Sequence, residues 1–94
     1  MKKFVFMYEG TWEYTDEAKA AWGAWFASVG ESMIDGGNPL GAGVRVTRDG
    51  QEELVGSPIT GYSIFSAEDL DAALKLLEDC PIIDGVRVYE AMSM

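Results

Sequence analysis

KFVFMY, residues 3–8, is β-branched, aromatic or long and apolar at nearly every position. At this length such a run suits a strand buried on both faces, and therefore a central strand of a sheet. Phe4, Phe6 and Tyr8 fall on one face, Val5 and Met7 on the other. The closing run Gly85–Met92 (GVRVYEAM) repeats the pattern, alternating Val86 and Val88 with Tyr89 and Ala91. A sheet built on these two strands is apolar on both sides.

Working outward, Gly10–Tyr14 read as a loop containing Trp12. Thr15 stands at a helix N-cap, with Asp16 and Glu17 placed to complement the helix dipole. Ala18, Ala21, Trp22, Trp25, Phe26 and Val29 follow at spacings of three and four, a single apolar stripe, and Gly30 is the expected stop. The opposite side of this helix is small (Ala20, Gly23, Ala24, Ala27), either because alanine favours helix or because another backbone approaches it. Met33–Gly43 reads as a short strand entering a turn-rich loop. Val44–Arg48 and Gln51–Val55 flank Asp49-Gly50, which predicts a hairpin with a type I′ turn and positive φ at both turn positions. After a loop at Gly56–Thr60, Gly61–Phe65 (GYSIF) is the next strand. Ser66, Ala67, Glu68 and Asp69 form a capping-box pattern ahead of Leu70, Ala73, Leu74 and Leu77, a second amphipathic helix. Glu78 and Asp79 sit at its unfavourable negative end, and Pro81 terminates it.

The order predicted is β-α-β-β-α-β: an α+β, ferredoxin-like sandwich with a four-stranded antiparallel sheet, in one domain spanning residues 1–94. Right-handed crossovers put both helices on one face and leave the other bare. Covering roughly 600 to 800 Å² of apolar sheet contributes on the order of 15 to 20 kcal/mol gross, before the entropy of association is subtracted. A chain of 94 residues has a thin core. A homodimer or higher homo-oligomer is therefore expected.

Composition narrows the function classes. The chain is 48% hydrophobic, with sixteen acidic residues against seven basic ones and a net charge of -9. A field of that sign repels phosphate backbones and anionic lipid, so nucleic acid and membrane surfaces are not expected partners. Cys80, the one cysteine, cannot form an internal disulfide, and its acidic surroundings should raise its thiol pKa and keep it structural. Lys2-Lys3 before Phe4–Tyr8 imitates a signal peptide, but Glu9 ends the apolar run too soon, leaving a cytoplasmic location as the expectation.

Catalytic and cofactor chemistry is sparsely provided for. With no histidine, the common triads and nitrogen or sulfur metal sites are missing. Glu9, Glu13, Asp16 and Glu17 match no EF-hand spacing, and the glycines of residues 36–43 are neither a GxGxxG motif nor followed by lysine. Neither a metal nor any other cofactor is expected; Pro39 and Pro58 read as loop residues. The remaining candidates suit an apolar pocket with a few polar directors: Trp22, Trp25 and Phe26 from the first helix, Asp35 and Asn38 from the loop, and Tyr62 from the third strand. The alternative is that the aromatics are core and that Asp35 and Asn38 only cap turns.

Several segments together resemble the YCII-related proteins. They are Ala21–Phe26 (AWGAWF) with Gly30, Met33–Leu40 (MIDGGNPL), Ser57–Ile64 (SPITGYSI), Ser66–Leu74 (SAEDLDAAL) and Cys80-Pro81 before Val86 and Val88. They span about three quarters of the chain. The resemblance implies a dimeric α/β barrel built on a ferredoxin-like unit, in a family whose members mostly have no settled function. Members suspected of enzymatic activity offer a His paired with an Asp in the cleft; the histidine is missing here, though Asp35 could occupy an equivalent pocket. Three functions are then open. The first is binding of a small organic ligand in the cleft of a homodimer, by Trp22, Trp25, Phe26, Asn38 and Tyr62. The second is a cofactor-independent lyase, isomerase or oxygenase acting on a small aromatic or lactone substrate, with Asp35 as base and Tyr62 and Asn38 orienting the substrate or stabilising an oxyanion. The third is a non-catalytic subunit of a larger assembly, contacted through the small face of the first helix.

Overall fold

The computed structural model describes residues 1–54 and 59–94. The elements run β1 (Lys2–Glu9), α1 (Asp16–Ser28), a 3-10 turn (Gly30–Ser32), β2 (Met33–Asp35), β3 (Val44–Thr47), β4 (Gly50–Glu53), β5 (Ile59–Ala67), α2 (Leu70–Lys75) and β6 (Gly85–Ala91). The expected end of the hairpin at Val55, most of the loop before Thr60, and Pro58 lie outside the described residues.

The fold is mixed α+β. β2, β5, β1 and β6 form, in that spatial order, a four-stranded antiparallel sheet, and β3 and β4 form a separate two-stranded ribbon. KFVFMY is central, as its composition requires: Phe4 faces Phe65 on one side and Glu90 on the other, and Phe6 faces Ser63 and Val88. Phe4, Phe6, Tyr8, Phe65 and Ala67 point to one face, where they meet Trp22, Trp25 and Val29 from the α1 segment and Ala73 from α2. The Trp25 indole N–H donates to the carbonyl of Leu76, just past α2, at 2.8 Å, so one bond ties both helices over the same face.

Local signals act largely as read, with three shifts. Thr15 caps α1, its hydroxyl accepting from Ala18 N at 3.1 Å, but the helix ends at Ser28 and Gly30 opens the 3-10 turn instead of stopping the helix. The second cap is Asp69, which accepts from Ala72 N at 2.8 Å; Ser66 and Ala67 are absorbed into β5 because they pair with Lys3 and Lys2. The hairpin forms, yet its turn is Arg48-Asp49, not Asp49-Gly50. Asp49 thereby keeps negative φ, which its Cβ favours, and only Gly50 takes the positive value of 140°.

The other face of the main sheet carries Val5 and Met7 of β1, Tyr62 and Ile64 of β5 and Tyr89 of β6, which share it by strand alternation and register. Both helices lie on the opposite side, and Tyr89 remains 56% exposed. The protomer is correspondingly flat, 42 × 39 × 18 Å, with a radius of gyration of 14.5 Å; a compact chain of this length has about 12.4 Å. Its accessible surface is 6754 Å², some 1400 Å² above the roughly 5350 Å² of a compact monomer of the same mass.

Candidate functional site

Tyr62 is set on the open face because its neighbours Gly61 and Ser63 are drawn inward, Gly61 beneath Trp12 and Tyr8. The glycine-rich loop after β2 is laced along β5. Ser63 Oγ donates to the Gly36 carbonyl at 2.7 Å, Tyr62 N to the Asn38 carbonyl at 3.4 Å, and Leu40 N to the Thr60 carbonyl at 2.9 Å. Gly37 makes this approach possible, with φ at +75° and its Cα so close to Tyr62 that a Cβ would collide with that residue's carbonyl. The lacing brings the Asn38 amide to the Tyr62 phenol, Nδ2 donating to Oη at 3.4 Å.

Asp35 lies at the same sheet edge, opposite Ile64 across a register shift. Its carboxylate is exposed, and Oδ1 accepts from Gly37 N at 2.8 Å, the geometry of an Asx turn. Across the open face, Tyr62, Met7 and Arg87 form one row over three strands, and Ile64, Val5 and Tyr89 the next. Arg87 Nε donates to Glu9 Oε2 at 3.1 Å. The arrangement is an apolar floor with a phenol–amide pair on one side and a guanidinium–carboxylate pair on the other. Such a surface can orient a small organic molecule by hydrogen bonds.

The three helix aromatics are on the other side of the sheet. Trp25 is buried against Tyr8, Phe65 and Trp22, with its indole N–H already bonded to Leu76. Trp22 meets Tyr8 edge-on at 5.2 Å, and Phe26 is half-buried against both tryptophans at 5.9 and 5.1 Å. The structure thus brings Asn38 and Tyr62 together, sets Asp35 nearby, and separates all three from Trp22, Trp25 and Phe26 by the thickness of the sheet. Trp12, not singled out from sequence, joins the helix cluster: its ring lies 4.7 Å from Trp22 and its N–H donates to the Thr60 carbonyl at 2.7 Å. Trp12, Tyr14, Ala18, Trp22 and Pro39 line a hollow of about 280 Å³ on that side. A wider hollow of about 590 Å³ lies at the root of the β3–β4 ribbon, against Leu40, Gly43, Leu54, Ile59 and Thr60.

Titration in the interior is governed by desolvation. Burial pushes the Cys80 thiol up to about 12, the direction expected, although the acidic neighbours are not what causes it. Burial likewise raises the Tyr8 phenol above the ordinary tyrosine range, with the nearby Ser63 hydroxyl opposing and the Cys80 thiol adding to the shift. The Tyr8 hydroxyl has no hydrogen-bond partner among the described residues. The small face of α1 is exposed, and a Cβ on Gly23 would meet nothing within 4 Å. Among the described residues no helix is long and apolar enough to cross a membrane, and no three metal-ligating side chains gather. Comparison with protein-family models, curated proteins and solved structures finds no match.

Proposed function

We propose that this chain is a YCII-type, ferredoxin-like unit that forms a homodimeric α/β barrel through its open sheet face and holds a small organic ligand between the two sheets, without transforming it. The strand order β2-β5-β1-β6 supports the ferredoxin-like part, because each helix then crosses over one intervening strand. The observation that carries the reading is the apolar face of Val5, Met7, Tyr62, Ile64 and Tyr89 lying opposite the helices. The surface excess of about 1400 Å² is of the size one protomer gives up in a stable dimer. Asn38 and Tyr62 are the polar directors of the ligand; Trp22, Trp25 and Phe26 fasten α1 to the sheet. A catalytic reading would need Asp35 desolvated, and its carboxylate is exposed and engaged with Gly37.

Sedimentation over a concentration series tests the assembly, with Ile64→Glu as the face variant. A wild-type dimer and a folded monomeric variant are expected; a wild-type monomer at micromolar concentration refutes the reading. A metabolite screen by thermal shift and ligand-observed NMR tests the ligand. Binders should be lost in Tyr62→Phe and Asn38→Ala, and a screen without binders removes the ligand part.

A further inference from the structure

The β3–β4 ribbon is not explained by the fold of its own chain. All its residues are exposed except Thr47, which is half-buried, and its pairing is internal. A lone two-stranded hairpin is marginal in water and needs a surface to rest on. Its two faces differ. Val44 and Val46, 49% and 74% exposed, share one face with their cross-strand partners Glu53 and Gln51, while Arg45 and Glu52 pair on the other at 3.1 Å. Val44 and Val46 are the apolar side chains that the ribbon leaves exposed among the described residues.

We propose that this ribbon is an arm that reaches across to a second copy of the same chain and lays its Val44–Val46 face on the partner. The inference rests on the homodimer proposed above. Two features favour a second copy as the occupant. The flat outline, the long radius of gyration and the surface excess of about 1400 Å² describe a protomer whose missing contacts are of dimer size. The arm is also rooted at the edge of the sheet whose open face the second copy covers: Leu40 N bonds to Thr60 at the entrance, and Leu54 N donates to the Gly43 carbonyl at 3.3 Å where the ribbon closes. In a two-fold dimer each arm then grips the other protomer, and the contact is made twice.

The test compares Val46→Asp with Arg45→Ala by sedimentation, alongside a spin label at Val46→Cys in a Cys80→Ala background. The arm predicts that Val46→Asp raises the dimer dissociation constant at least about tenfold, that Arg45→Ala changes it less than about threefold, and that the label is immobile in the dimer and mobile after dilution to monomer. A wild-type dimer that Val46→Asp leaves unchanged, with a mobile label, overturns the arm and spares the sheet-face dimer. A label immobile in a monomer shows the ribbon folded onto its own chain and also overturns it. A wild-type protein that never dimerises overturns the underlying reading, and the arm with it.

Discussion

Gly23→Ala should stabilise the protein, whereas the same change at Gly37 should come close to unfolding it. Gly23 is mid-helix in α1, exposed, with open space where a Cβ would stand. Alanine there gains about 0.8 to 1 kcal/mol of helix propensity, which in a domain of this size raises Tm by roughly 4 to 8 °C per kcal/mol. At Gly37 the backbone is at +75°, and the new Cβ would stand 2.6 Å from the Tyr62 carbonyl carbon and closer still to its oxygen. Left-handed backbone costs about 1 to 2 kcal/mol in a residue with a Cβ. Relieving the collision peels the loop from β5 and sacrifices the Ser63–Gly36 and Leu40–Thr60 bonds, each worth about 1 kcal/mol. The loss is then about 3 to 4 kcal/mol, a large share of the roughly 5 to 15 kcal/mol available to a folded domain. Urea unfolding at several protein concentrations measures both. A Gly37→Ala protein within 1 kcal/mol of wild type would refute the lacing geometry. A Gly23→Ala protein that is destabilised would show another backbone against the small face of α1, the packing alternative that its alanines leave open.

Trp25→Phe removes the donor to Leu76 between the two helices and leaves that carbonyl short of a partner, so chemical denaturation should register a loss of about 1 to 3 kcal/mol. Tyr8→Phe deletes a buried hydroxyl that has no partner among the described residues and should be neutral or stabilising, in contrast to the losses that deletions of bonded groups cause; a clear destabilisation would mean that the hydroxyl is satisfied in solution. Cys80 should resist iodoacetamide at pH 8 in the folded state and react on unfolding, because burial holds its thiol protonated. The same shift sets an alkaline limit. Above about pH 9 the unfolded chain loses the thiol proton while the folded chain keeps it, so stability falls as pH rises from about 9 toward 12, and Cys80→Ala should reduce that slope.

Much of the fold was legible because its signals are local. The two-sided run Lys3–Tyr8 became the central strand, and Thr15 and the apolar stripe after it gave α1 to within a residue or two. The signals that slipped were those in competition with pairing. Ser66 has the pattern of a cap, but β5 extends through it opposite β1, and the cap passes to Asp69. α2 stops at Lys75, well before Pro81. Asp49-Gly50 has the composition of a type I′ turn, but moving the turn back one residue confines positive φ to glycine.

The arrangement of the site was hidden for a different reason. In GYSIF the smaller residues Gly61 and Ser63 face the core while Tyr62 and Ile64 face out, the reverse of a simple hydrophobic alternation. The cause is the bulk above them: Tyr8 and Trp12 lie over Gly61, where even a Cβ would come within 3.3 Å of the Trp12 ring. Large rings from other segments occupy the inward volume above Gly61, so β5 is small at that end and turns its tyrosine outward, while Phe65 fills the core face further along. That constraint also bears on where a ligand can go. Trp12, Trp22, Trp25 and Phe26 stack at 4.7 to 5.9 Å beside a hollow of about 280 Å³ at Trp12 and Trp22, and the N–H groups of Trp12 and Trp25 are already bonded to carbonyls. On the open face the Tyr62–Asn38 pair is joined only by a long 3.4 Å bond, so both groups retain hydrogen-bonding capacity. A molecule held between two copies of that face would meet two such pairs, one from each protomer, across an apolar floor. Recognition by shape and hydrogen bonds is the use that inventory suits, and Asp35 enters it as an exposed carboxylate whose Oδ1 already accepts from Gly37 N.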